Sequence, residues 1–83
     1  MKITFKLFAS LGEKLPPEAQ NHAVELEVSK ATTPEKVIDQ FAISHDRAHL
    51  VLVNGVFIEP EKRNQLVLKE GDTLAVWPPV AGG

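Results

Sequence analysis

One change of period divides this sequence and limits what it can become. Residues 2–8 alternate, with Ile3, Phe5 and Leu7 on one side and Lys2, Thr4 and Lys6 on the other, the pattern of a half-buried strand. His22 to Val28 alternates again, Val24, Leu26 and Val28 inward against Glu25 and Glu27 outward. The length of the connection suits an antiparallel pair with the first strand. The period then becomes helical. Thr33 is a good N-cap, Pro34 fits the first helical position where its missing N–H costs nothing, and Glu35 complements the helix dipole. Val37, Ile38, Phe41 and Ala42 fall on one face, which predicts a helix to about 41–44, with His45 to His49 adding a further turn.

Strand patterns return beyond the helix. Leu50-Val51-Leu52-Val53 is a continuous apolar run, as expected of a strand covered on both faces or lying centrally. Asn54-Gly55 is a hairpin signal, because both residues tolerate the positive φ of a type I′ turn. Val56-Phe57-Ile58 returns from it, Glu61 to Gln65 reads as a polar loop, and Leu66-Val67-Leu68 as a short extended piece. Lys69-Glu70-Gly71-Asp72 then turns the chain into a last strand over 73–77, and Leu11 to Leu15 forms a short helical turn or loop closed by Pro16-Pro17. The pattern is α+β: a mixed four- to five-stranded sheet packed on one main helix. The order fits a β-grasp, in which the last strand joins the first at the sheet centre. Residues 1–77 form that domain and 78–83 a flexible tail.

Composition removes several functions. At 83 residues, with 43% hydrophobic and 24% charged side chains, the chain matches one ordinary globular domain and not a disordered segment. A formal charge of −2 with no basic run offers nucleic acid no electrostatic footprint. No apolar run approaches a membrane span, and the first residues lack the core of a signal peptide, so a cytoplasmic location with no membrane partner is expected. Cysteine is absent, which excludes thiolate nucleophiles and Cys-ligated metals.

The sequence ends Pro78-Pro79-Val80-Ala81-Gly82-Gly83. Two prolines favour a stiff, extended lead, and two glycines leave the terminal carbonyl unhindered. Six extended residues reach ~20 Å, far enough to enter another protein's active site while the domain stays outside. The strand running into Phe8-Ala9-Ser10-Leu11-Gly12-Glu13, the Val53-Asn54-Gly55 hairpin, the Lys69-Glu70-Gly71-Asp72 turn and this ending together resemble the ubiquitin-like sulfur carriers of the MoaD/ThiS family. The Pro-Pro-Val-x-Gly-Gly ending is more similar to MoaD, the small subunit of molybdopterin synthase, than to the thiamine carrier ThiS.

The resemblance implies chemistry at Gly83. An E1-like adenylating enzyme would activate its carboxylate with ATP, and a persulfide sulfur donor would replace the adenylate to leave a thiocarboxylate. The charged tail would enter the large subunit of molybdopterin synthase and give its sulfur to a pyranopterin precursor. On that reading the chain is a carrier and co-substrate, not an enzyme on its own, and binds no cofactor. Relatives serve thiamine synthesis, tRNA thiolation or protein modification with the same tail. The residues agree: the sequence has no Gly-rich phosphate loop with which to bind ATP.

Trp77, the only tryptophan, sits where the last strand meets the tail. With Leu74 and Val76 facing the helix, it would face away, a natural hot spot for a partner. Phe8 breaks the inward alternation of the first strand and belongs either to the same partner-binding patch or to the core. His45 and His49 have the four-residue spacing of ligands on a helix, but without a third ligand they are expected to be solvated, and no metal site is predicted.

Overall fold

The computed structural model describes residues 1–79. Strands β1 (Lys2–Leu7), β2 (Ala23–Glu27), β3 (Leu50–Val53), β4 (Val56–Phe57) and β5 (Thr73–Trp77) form one mixed sheet in the order β2-β1-β5-β3-β4. β1 and β5 run parallel at its centre, with Phe5 opposite Leu74 and Leu7 opposite Val76; the other pairs are antiparallel. Helix α1 (Pro34–Gln40) covers one face. The ubiquitin-like β-grasp expected from the element order is the fold observed.

The core lies between α1 and that face. Ile3, Phe5, Leu7, Val51, Leu74 and Val76 of the strands are buried with Val37 and Ile38 of the helix, and the Phe5 and Phe41 rings meet at 4.7 Å. Each such side chain contributes roughly 1.5–3 kcal/mol on full burial. Among the described residues no helix is long and apolar enough to cross a membrane.

The helix starts as its sequence requires. Thr33 Oγ1 accepts the Lys36 N–H at 3.3 Å, and the Glu35 N–H donates to the Arg63 carbonyl at 2.9 Å, two of the donors a helix start leaves without partners. It ends earlier than its pattern predicts, at Gln40 instead of 41–44. Ala42 takes a left-handed conformation with φ 57°, its N–H donates to Asp39 O, and the Ile43 N–H donates to Ile38 O. This is a Schellman ending with alanine in the position glycine usually fills. Ala42 is therefore exposed, and Ile43 takes the buried place assigned to it. The turn over 45–47 is not helical, so His45 and His49 do not share a helix face.

Four other expectations are refined. Leu50–Val53 lies inside the sheet but is covered on one face only: Val51 and Val53 are buried, while Leu50 and Leu52 face the open side. Residues 66–68 form no strand, although the Leu68 N–H donates to Thr32 O and its side chain is buried. The polar stretch 61–65 contains a buried charge, Arg63, 7% exposed. The helical turn before Pro16 begins at Ala9 and runs to Lys14 as a 3-10 helix.

The turn motifs have visible structural work. Asn54 and Gly55 carry φ 51° and 82°, the type I′ pair expected between β3 and β4. The Asp72 carboxylate accepts the Lys69 N–H and the Asn54 amide, each at 2.8 Å, while Asn54 Oδ1 accepts the Thr73 N–H at 2.9 Å. The two turns are thereby tied together at the end of the sheet where β5 begins.

Candidate functional site

Strand alternation fixes which side chains gather where β5 ends. Leu74 and Val76 point into the core and are fully buried, so Ala75 and Trp77 point to the open face. Ala75 stands in register between Lys6 and Leu52, and Trp77 opposite Leu50, whose neighbour His49 donates its N–H to the Trp77 carbonyl at 3.1 Å. β5 is thus held by β1 as far as Val76 and by β3 up to Trp77, its last residue. Pro78 is buried against the domain and Pro79 is exposed, so the packed surface extends one proline past the strand.

Phe8 reaches the same place from β1. Its N–H donates to the Val76 carbonyl at 3.1 Å, which continues the parallel ladder one step beyond Leu7. Alternation turns its ring to the open face. There the Phe8 and Trp77 rings stack in parallel, centroids 4.3 Å apart and planes within 4°. Ala9, with φ 52°, then swings the backbone into the 3-10 helix. The structure brings together the two aromatic residues the sequence singled out, and both are half-buried.

Around the root of the tail lies a hollow of about 400 Å³ walled by Ala9, His49, Leu50, Trp77, Pro78 and Pro79. Ser10 also lines this hollow, and with Glu13 and Arg47 it flanks the same two prolines in an adjoining one. Arg47 Nη2 donates to Ser10 Oγ at 2.6 Å, and among the described residues the guanidinium makes no ion pair with a carboxylate. Farther along the open face the exposed Leu50 and Phe57 continue the apolar surface. Aromatic and apolar groups with a polar rim are the composition of a protein interface.

The remaining candidates lie elsewhere. His45 Nε2 sits 3.4 Å from Asp39 Oδ1 and 3.9 Å from Glu35 Oε1, ion pairs when the imidazole is protonated. These three residues bring one ligand atom each within 4.8 Å of one another, and His49 is not among them. Asp46 is held below the usual carboxylate range by the Ser44 hydroxyl, helped by its own backbone, Arg47 and His45, against a smaller opposing effect of burial. Val80, Ala81, Gly82 and Gly83, named with Pro78 and Pro79 as the tail, lie outside the described residues.

Sequence reasoning missed His22, which stacks on the other side of Phe8 with centroids 5.4 Å apart. The available signal was Asn21-His22, a pair of residues that tolerate left-handed backbone, directly before an alternating segment.

Comparison with known proteins gives the same architecture. SAMP1 from Haloferax volcanii superposes with a TM-score of 0.69 at 26% identity, over 100% of both chains. ThiS, a thiamine biosynthesis protein from Geobacter metallireducens, gives 0.65 at 14% identity over 100% of both chains. A chain from the complex of subunits 1 and 2 of molybdopterin-converting factor from Helicobacter pylori gives 0.61 at 15%, again over 100% of both. At these last two identities the likeness speaks for the fold alone. No match is found among curated protein sequences. The ThiS family model matches residues 5–83, from within β1 through the final glycine. The chain belongs to the ThiS family.

Proposed function

We propose that this protein is a sulfur carrier whose reactive group is the carboxylate of Gly83. The observation that carries the reading is the exit of β5. The central strand is clamped by β1 and β3, and it delivers Pro78-Pro79 at the rim of an aromatic face suited to a partner. A terminal carboxyl is ordinarily ionised at neutral pH, with a pKa of about 3.3–3.7, and is a poor electrophile until activated. An E1-like enzyme supplies that activation: the Gly83 carboxylate attacks the α-phosphate of ATP, pyrophosphate leaves, and the acyl adenylate forms. The outer sulfur of a persulfide donor attacks the adenylate and AMP leaves. A partner's thiol then cleaves the S–S bond of the resulting acyl disulfide, forming a disulfide with the donor sulfur and leaving the thiocarboxylate on Gly83. The chain contributes the co-substrate group and a docking face centred on Trp77 and Phe8; the catalytic residues belong to its partners, and the reaction takes place in the cytoplasm.

The Pro-Pro-Val-Ala-Gly-Gly ending favours one destination, the large subunit of molybdopterin synthase, with sulfur passing to a pyranopterin precursor. The fold likeness to a subunit of the Helicobacter pylori complex supports a paired assembly of this kind. Thiamine synthesis and tRNA thiolation use the same tail chemistry with other acceptors.

The test is an intact mass after incubation with ATP, an E1-like enzyme and a persulfide donor. A gain equal to replacing one oxygen by sulfur, localised to Gly83, is the expected result. One extra residue after Gly83, or a bulky residue in place of Gly82, abolishes the gain without unfolding the domain. No gain with a demonstrably active enzyme and donor refutes the carrier. Covalent conjugates to target lysines that vanish on deletion of Gly83 would assign the chain instead to the ubiquitin-like modifiers.

A further inference from the structure

Trp77 and Phe8 are two members of a run of three rings. Phe8 lies flat on Trp77 at 4.3 Å, and the imidazole of His22 covers its other side at 5.4 Å with an interplanar angle of 27°. The backbone brings these rings from three separate segments. The Phe8 N–H bonds to Val76 O beside Trp77, and the Leu7 N–H bonds to His22 O at 3.0 Å, which draws the turn before β2 alongside the end of β1. That turn is a tight one. Gln20 and Ala23 exchange two backbone hydrogen bonds at 2.9 Å each, and Asn21 and His22 between them carry φ 52° and 64°. Two successive left-handed residues make a type I′ turn, here built without glycine. The left-handed backbone at His22 aims its side chain at Phe8, a direction a residue in the strand itself could not take.

We propose that His22 is a positioning residue of the partner-binding face: its imidazole closes the open side of Phe8 and keeps Phe8 flat on Trp77, so that the activating E1-like enzyme meets a wall of three rings. A Phe8 ring stacked on one side only would be free to rotate off Trp77 into water. With a ring on each side its plane is set before the partner arrives, and less side-chain freedom is lost on docking. The inference rests on the reading of Trp77 and Phe8 as the docking face.

Position 22 allows a clean test. His22→Asn removes the ring but keeps a residue at home in the left-handed region, so the turn survives. Trp77 is the only tryptophan and the chain has no tyrosine, so fluorescence excited in the indole band reports on this one stack. His22→Asn is expected to red-shift that emission, raise its quenching by acrylamide, and weaken binding to the E1-like enzyme about three- to tenfold, the range of one aromatic pair. His22→Phe, which restores a ring, returns both readouts toward wild type. Unchanged binding in His22→Asn overturns the proposal, whatever the emission does. A wild-type chain that neither binds the enzyme nor gains sulfur overturns the carrier reading and the partner assigned here. The emission of His22→Asn then still reports separately whether His22 holds Phe8.

Discussion

Arg63 is the side chain whose removal tests the packing argument most sharply. The residue is 7% exposed, and its guanidinium donates three hydrogen bonds: Nη1 to Ala48 O at 2.6 Å, Nη2 to His49 O at 3.1 Å and Nε to Ile58 O at 3.3 Å. It joins the segment before β3, the segment after β4 and, through its own carbonyl, the start of α1. Burial lowers its pKa from the ordinary arginine value, while the charges of Glu35 and Glu61 oppose that shift. Replacing a buried ion pair with apolar residues is often neutral, because both partners leave together. Here the acceptors are backbone carbonyls and cannot be removed. Arg63→Met therefore relieves the desolvation of one cation but leaves the buried Ala48 carbonyl without its donor, at about 1–3 kcal/mol, and the other two partly so. The sum is a loss of about 2–4 kcal/mol. At roughly 4–8 °C per kcal/mol for a domain of this size, that is a fall in Tm of about 10–30 °C. Arg63→Lys, with one ammonium for three acceptors spread over a fork, falls between Met and wild type. Thermal and urea unfolding followed by circular dichroism measure this, with an unchanged urea slope showing that stability alone has moved. A loss under about 1 kcal/mol for Arg63→Met would mean that water or a shifted backbone satisfies those carbonyls, and would refute the view of Arg63 as the tie between the two segments.

Three other outcomes are expected. Ala42→Gly relieves a non-glycine residue at φ 57° in the position where helices prefer glycine, and should stabilise the domain by roughly 0.5–1 kcal/mol after the added freedom of the unfolded chain is counted; calorimetry decides the sign. Trp77→Ala should weaken binding to the activating enzyme about 30-fold or more, as for a hot spot, while costing only about 1–2 kcal/mol of stability for a half-buried ring. The reverse ordering would make Trp77 a packing residue. Ser44→Ala removes the main cause that holds the Asp46 carboxyl low, so its NMR titration should move up. A carboxyl depressed in the folded state adds stability above its unfolded pKa and loses it as the pH falls through the folded value; the variant should therefore show a shallower loss at acid pH, of small size because Asp46 is exposed.

What could be read from sequence depended on how far along the chain the deciding interaction reaches. Thr33-Pro34-Glu35, Asn54-Gly55 and Lys69-Glu70-Gly71-Asp72 act within a few residues, and each appears where its chemistry placed it. The central β1–β5 pairing followed from the element order, and it makes Phe8 and Trp77 neighbours although 69 positions separate them. The end of α1 was not legible, because Ala42 turns left-handed to let Ile43 reach the core, a tertiary demand that overrides a helical pattern. Arg63 was hidden for the same reason. Nothing near position 63 announces that the carbonyls of residues 48, 49 and 58 will converge there, and a charged side chain in a polar stretch reads as solvated. His22 is the instructive middle case. Its turn was legible in principle from Asn21-His22, but its role was not, since the ring acquires a neighbour only when two strand pairings bring Leu7 to His22 and Phe8 to Val76. Local chemistry thus sets the elements and their turns, the pairing of β1 with β5 assembles the face at the tail root, and the side chains that stabilise that assembly are those whose partners come from elsewhere in the chain.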